Sequence, residues 1–404
     1  MTKYGRSPWL DQCPKSLVPA YPVQRGRTFA EAVIVGGGLT GCTTAYLFAA
    51  AGVRVVLVDA EQIGRGGTSL GAGWAGSDPG VRYGELEKAL GRRAAHLAWQ
   101  AWHRAGLDFA AFLRRLGIKC SLEPRVAMTV ATDPDQASRL RREQKMRLDA
   151  GIEAPWLNSR GIGAAARIEA AGGIRDGQGA TLDPYRAAVG LASAVVKRGA
   201  RLCERSPVTR IEFGRRTADV YTPGGTIRTT RVIIATGVPT ALFKALQRHF
   251  WFRHTYLAMT TPVPVAVRRR LGPPTLVVRD SSSPPHVVRW IGADRLLVMG
   301  ADAEEPPSRH WERISVQRTG QLMYELSTLY PDVSGIQPEY GWHAPLAVTR
   351  DGLPFIGPHR NYPHHLFAFG DASRGVTGAF LAGRALLRHH VGRLEPADRI
   401  FEFR

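Results

Sequence analysis

Lysine is scarce in this chain: Lys3, Lys15, Lys88, Lys119, Lys145, Lys197 and Lys244 are all that occur in 404 residues. Cysteine is scarcer still. Cys13, Cys42, Cys120 and Cys203 lie far apart with no C-x-x-C pair, which argues against a disulfide scaffold and for reduced thiols. No run of about 18 apolar residues occurs, so no transmembrane helix is expected. The first 29 residues carry Pro8, Pro14, Pro19 and Pro22 without an apolar h-region, which predicts no secretory signal. Residues 1–29 are read instead as an extended arm on the surface. Low-complexity segments are absent as well. What remains is a chain 44% hydrophobic and too long for one ordinary core, hence a globular protein of two domains.

The charge is one-sided, with 54 Lys+Arg against 34 Asp+Glu for a net +20. Such a field favours anionic partners. The excess is nearly all arginine, however, and is spread along the chain. Its densest clusters, Arg139-Leu-Arg-Arg142 and Arg268-Arg-Arg270, are short. This reads as a solvated arginine-rich surface with no obligate nucleic-acid partner. Cytoplasmic residence is expected, with room for reversible membrane contact.

The most informative segment begins at Glu31. Ala32-Val-Ile-Val35 is a β-branched run suited to a buried parallel strand. It ends in Gly36-Gly-Gly38-Leu-Thr-Gly41, and good helix formers follow from Cys42 to Ala51. After Gly52 comes a second buried strand, Val53 to Val58, with Asp59 at its end. Strand, glycine turn, helix, strand and acid within thirty residues predict a dinucleotide site. Glycines at 36, 38 and 41 let a pyrophosphate approach the backbone at a helix N-terminus, and Asp59 suits ribose hydroxyls.

Features downstream favour FAD over NAD. A second glycine-rich loop, Ile63 to Gly73, offers Arg65, Thr68 and Ser69 to a pyrophosphate or ribityl chain. Ala235-Thr236-Gly237 closes a later buried strand. Gly370 to Gly378 opens a final helix, whose N-terminus favours negative charge beside a reduced isoalloxazine ring.

At these residues the chain resembles the D-amino acid oxidase superfamily, the group that includes glycine oxidase, sarcosine oxidase and gamma-glutamylputrescine oxidase. The matching pieces are Val33 to Asp59, Gly64 to Gly73, Leu182 to Arg186, Ala235 to Gly237, Thr349 to Gly357 and Gly370 to Gly383. The resemblance implies an α/β protein with a glutathione-reductase-type Rossmann FAD-binding domain and an inserted mixed β-sheet substrate domain. The FAD-binding domain is expected over residues 30–119, 166–245 and 346–404. The substrate domain is expected over 120–165 and 246–345. Oxidation of a C–N bond of an amine or amino acid by hydride transfer to flavin N5 is implied, with O2 or an electron carrier as acceptor. By the same resemblance Gly36, Gly38, Gly41 and Asp59 hold the ADP half, Arg65, Thr68 and Ser69 the phosphates, and Val208, Thr236 and Gly237 lie along the cofactor. Asp351 and Gly352 sit beside the ring edge or ribityl chain, and Gly375, Val376 and Thr377 at the pyrimidine edge.

The chain departs from its relatives in two places. They often carry Ser-Gly-Arg-Asn where this chain has Ser69-Leu-Gly-Ala72, and Gly-His-Gly-x-Asn-Gly where it has Gly370-Asp-Ala-Ser-Arg-Gly375. Some oxidases of the superfamily also place a lysine over the flavin, and residues 246–345 contain none. The departures leave substrate and acceptor open, and the missing lysine leans toward a dehydrogenase or a slow oxidase. Pocket candidates are Trp251, His254, Tyr256, Trp290, Trp342, His343 and Arg350. Of these, Trp342 and His343 are expected to approach the flavin, and Arg350 either binds a carboxylate or caps its turn. Two other readings remain: a flavoenzyme acting on a modified tRNA base, and a non-catalytic flavin- or nucleotide-binding protein.

Overall fold

Two sheets organise the chain in the computed structural model, which describes residues 1–370 and 376–404. The eight-stranded sheet is built on the β-branched runs. Gly26–Val35 pairs in parallel with Val55–Val58 on one side and Gly225–Gly237 on the other. Arg201–Cys203 extends one edge in parallel, and Tyr362–Phe369 with Phe355–His359 the other. Strands buried on both faces need apolar side chains at successive positions, and Val55–Val58 is buried throughout. Helices Leu39–Ala50, Pro184–Lys197 and Val376–Val391 pack over this sheet. Asp183 caps the second of them, accepting from the Arg186 N–H at 2.9 Å, with Pro184 at the first helical position.

The ten-stranded sheet is mixed. Its order runs Lys3–Tyr4, Pro338–Val348, Trp251–Thr260, Arg295–Ala303, Val287–Ile291, Leu276–Asp280, Glu123–Ala131, Gly172–Thr181 and Trp74–Ala75, with Trp156–Asn158 also on Gly172–Thr181. Helix Trp311–Leu329 covers one face. The other face turns toward Trp9, Ala72 and Tyr185.

Two placements differ from the sequence reading. Gly172–Thr181, expected within the nucleotide-binding segments, pairs in the ten-stranded sheet. Its composition, GGIRDGQGAT, carries little strand signal because the glycines make room for neighbours: a Cβ on Gly172 would overlap the Trp156 ring, and one on Gly179 the Trp74 ring. The arm is also more than a surface strap. Lys3–Tyr4 adds a parallel strand to Pro338–Val348, and Trp9 is 7% exposed with its indole N–H donating to the Gly71 carbonyl at 2.9 Å. Among the described residues no helix is long and apolar enough to cross a membrane.

Because Trp9 fills a core position, Trp9→Ala is expected to destabilise the protein by about 3–5 kcal/mol. Trp9→Phe keeps most of the buried area but strands the Gly71 carbonyl, at a cost of about 1–3 kcal/mol. Urea denaturation of both variants checks the order. A surface strap would give a small, equal effect for each.

Candidate active site

The glycine turn follows from close packing. A Cβ on Gly41 would overlap the carbonyl oxygen of Gly36, so helix Leu39–Ala50 can lie against its own turn only with glycine there. Gly36 has φ +107°, and a Cβ on it would stand 2.6 Å from the Ala235 carbonyl oxygen. No side chain caps the helix at Gly38. The Leu39 N–H donates to Thr68 Oγ1 at 2.8 Å, which ties the second glycine loop to the helix start. Asp59 accepts from the Gly37 N–H at 2.5 Å and from the Glu61 N–H at 2.7 Å. Burial raises its pKa, and those two backbone N–H groups pull the other way. Each carboxylate oxygen keeps a second lone pair for a hydroxyl donor.

These groups open onto a cavity of about 660 Å³. Of the residues singled out from sequence, Gly36, Gly38, Asp59, Arg65, Thr68, Val208, Thr236, Gly237 and Val376 line it. Gly41 lies beneath the turn, and Ser69 is fully buried with its hydroxyl on the Arg65 and Gly66 carbonyls at 3.0 and 3.1 Å. Thr377 donates to the Gly76 carbonyl at 2.9 Å, so both hydroxyls shape backbone beside the cavity. Gly375 lies outside the described residues, as do Asp371 and Arg374.

At its far end the cavity reaches Gly71 and Pro345. The next residues, Ala72 and Leu346, line an inner cavity of about 70 Å³. Two indoles fix this junction. Trp342 donates to the Leu70 carbonyl at 3.0 Å and Trp9 to that of Gly71. The inner cavity has mostly apolar walls, among them Trp74, Trp102, Val277 and Met299, interrupted by Asp78, Arg279 and Asp302. Through Gly80, Arg279, Pro285 and Asp302 it shares walls with an outer cavity of about 590 Å³. Arg350, Asp351 and Gly352 line that outer cavity. Asp351 also holds its own turn, accepting from the Leu353 N–H at 3.0 Å and pairing with Arg404 at 2.5 Å.

Trp342 and His343 do not act together. Side chains alternate across Pro338–Val348, so Trp342 faces the junction while His343 faces helix Trp311–Leu329. His343 stacks on Trp311 with ring centroids 4.1 Å apart and lines none of the three cavities. Burial and then the neighbouring His254 push its pKa down to about 4. Tyr256 and Trp290 belong to the core on that same side, and His254 rings with Trp311 there. Among the pocket candidates, Trp251 and Arg350 line the outer cavity.

A buried ionic network was invisible in the sequence. Arg279 grips Asp78 through two bonds of 3.1 and 2.7 Å and also meets Asp176 at 3.4 Å. Asp176 takes Arg147 at 2.7 Å and the Thr129 hydroxyl at 2.6 Å, and Arg147 pairs with Glu143 at 2.7 Å. Its members come from five separated segments, and no local motif joins them. Burial alone would raise the pKa of Asp78, but Arg279, with help from Arg147 and the Gly80 N–H, pulls it down to about 2.

The family model described as FAD dependent oxidoreductase (DAO) matches residues 31–388. Gamma-glutamylputrescine oxidoreductase of Escherichia coli (strain K12) is 24% identical, over 91% of this chain and 85% of its own. Glycine oxidase of Geobacillus kaustophilus is 26% identical, over 92% of this chain and 96% of its own. The crystal structure of glycine oxidase from that organism has a TM-score of 0.76, covering 93% of this chain and 99% of its own at 22% identity, which is a likeness of fold.

Two predictions follow from the geometry. Gly41→Ala forces the helix off the turn, so it should purify with less than a tenth of the wild-type flavin per chain, read from visible absorbance. For the network, a depressed Asp78 pKa contributes stability that is complete above about pH 4, the unfolded value, and is lost as pH falls toward 2. Arg279→Met leaves Asp78 without its guanidinium partner, while Asp176 keeps Arg147, costing about 3–5 kcal/mol at neutral pH, a deficit that shrinks as pH falls toward 2. A deficit that stays the same from neutral pH to pH 2 contradicts the role given to Arg279.

Proposed function

The chain belongs to the FAD-dependent oxidoreductase family, and from that premise we propose that it oxidises the C–N bond of a small amine or amino acid. The observation that carries this reading is a dinucleotide-sized cavity that runs from the glycine turn to Gly71 and Pro345, with a second, smaller cavity lined by the next residues in sequence, Ala72 and Leu346. Pockets of several hundred Å³ are the usual size for cofactors. Gly36, Gly38 and the N-terminus of helix Leu39–Ala50 suit the pyrophosphate of FAD, since the helix dipole favours an anion there. Asp59 suits the ribose and Val208 the adenine, and both line this cavity with Thr236. The missing Cβ of Gly36 lets the turn pack on Ala235, which holds the turn's backbone at the cavity wall.

When bound, FAD accepts the hydride lost from the carbon next to nitrogen, leaving an imine that water hydrolyses. The protein's share is to orient and shield. Helix Val376–Val391 begins at the cavity, and its positive end favours negative charge at the ring's pyrimidine side. The apolar walls of the inner cavity exclude water and favour the neutral amine, whose lone pair must be free for hydride loss. No histidine or lysine lines that cavity among the described residues, so any protein group that takes the ammonium proton there is a carboxylate. The acceptor for the second half-reaction is O2 or an electron carrier.

Anaerobic titration of the purified protein with primary, secondary and amino-acid amines tests this reading. Loss of the oxidised flavin band with one class, restored by air, is the expected result, and slow restoration identifies a dehydrogenase. An intact FAD band in the presence of every amine overturns it.

A further inference from the structure

We propose that the substrate is an elongated amine whose anionic group, carboxylate or phosphate, lies several bonds from the oxidised C–N bond, so that the two ends occupy different cavities. This rests on the amine-oxidation reading and adds to it the polarity of the pocket. The inner cavity, about 70 Å³, has room for only a few non-hydrogen atoms beside the cofactor junction. The one arginine that lines it among the described residues, Arg279, is already engaged by Asp78 and Asp176, so its guanidinium fork is not free for the carboxylate of an α-amino acid. Asp302 lines the same space, lies near enough to His286 to help raise its pKa, and forms no ion pair among the described residues. Apolar walls with a spare carboxylate suit an amine end that arrives as a cation.

The outer cavity has the opposite character. Arg139, Arg253 and Arg350 line it, and none of them meets a carboxylate within ion-pairing distance among the described residues. Four of the five acids beside them are committed, Asp351 to Arg404, Glu143 to Arg147, Glu85 to Arg82 and Asp280 to His286 at 2.7 Å, which leaves Asp302 on the shared wall. Three uncommitted guanidinium groups around about 590 Å³ form a receptor for an anion, and Asp302 and Arg279 sit on the wall common to both spaces. The net charge of +20 draws an anion toward that mouth. An α-amino acid, with charges two bonds apart, cannot reach both poles.

Four primary amines of matched chain length separate the possibilities in anaerobic reduction of the FAD-loaded protein: hexylamine, ε-aminocaproate, an aminohexyl phosphate and norleucine. One of the two amines with a distal anion is expected to reduce the flavin at about a tenfold lower half-saturating concentration than hexylamine, with norleucine poorest. Whichever of the two wins identifies the anion. The double variant Arg253→Gln/Arg350→Gln should raise the half-saturating concentration for that amine at least tenfold more than for hexylamine. Norleucine as the best reductant, hexylamine equal to the anionic amines, or a double variant that shifts all four alike overturns the two-ended substrate while leaving amine oxidation standing. If none of the four, and no other amine or amino acid, reduces the flavin, the amine reading itself falls and takes this one with it.

Discussion

The close approach between Gly36 and Gly41 is the constraint on which the site depends. With no Cβ at position 41, helix Leu39–Ala50 begins directly above the end of strand Gly26–Val35, and Gly38 and Leu39 at its start line the cavity. The turn is then fixed by contacts that reach across the sequence. Asp59 takes the Gly37 N–H, Thr68 takes that of Leu39, and Gly36 itself packs on Ala235. A diphosphate would meet a surface already shaped by packing. Little reorganisation is left for binding, which is the advantage of placing a cofactor on parallel-strand ends.

From that turn the chain builds outward to the chemistry. The segment after the second glycine loop carries the cavity toward the ten-stranded sheet, and two tryptophans hold its carbonyls from different directions. One comes from the N-terminal arm and the other from strand Pro338–Val348. Beyond them, the buried Arg279 network closes one side of the inner space. Such a network adds little net stability over an apolar core, because desolvation offsets the attraction. Its value here is positional: it fixes the charges that border the pocket.

What the sequence disclosed was local. Strand, glycine turn, helix, strand and acid are contiguous between residues 31 and 59, and each carries its own signal in period or composition. The fold class and the FAD-dependent family were legible from that stretch and the later motifs. Elsewhere the physics was not local. Trp342 and His343 are neighbours in the chain yet face opposite sides of a strand, and which side meets the cofactor is set by pairing that no short window contains. Asp176 sits in a glycine-rich strand that looks like a loop, and its partners Arg147 and Arg279 come from residues far away in sequence. Trp9 looked like part of a loose leader because prolines surround it, although its indole fills a core position.

The cofactor released by denaturing the purified protein tests the central claim most directly. The account predicts FAD, non-covalently held and approaching one per chain, identified by mass and by the visible spectrum of the supernatant. A colourless protein that FAD cannot reconstitute, or one that yields FMN or a nicotinamide dinucleotide in its place, would contradict it.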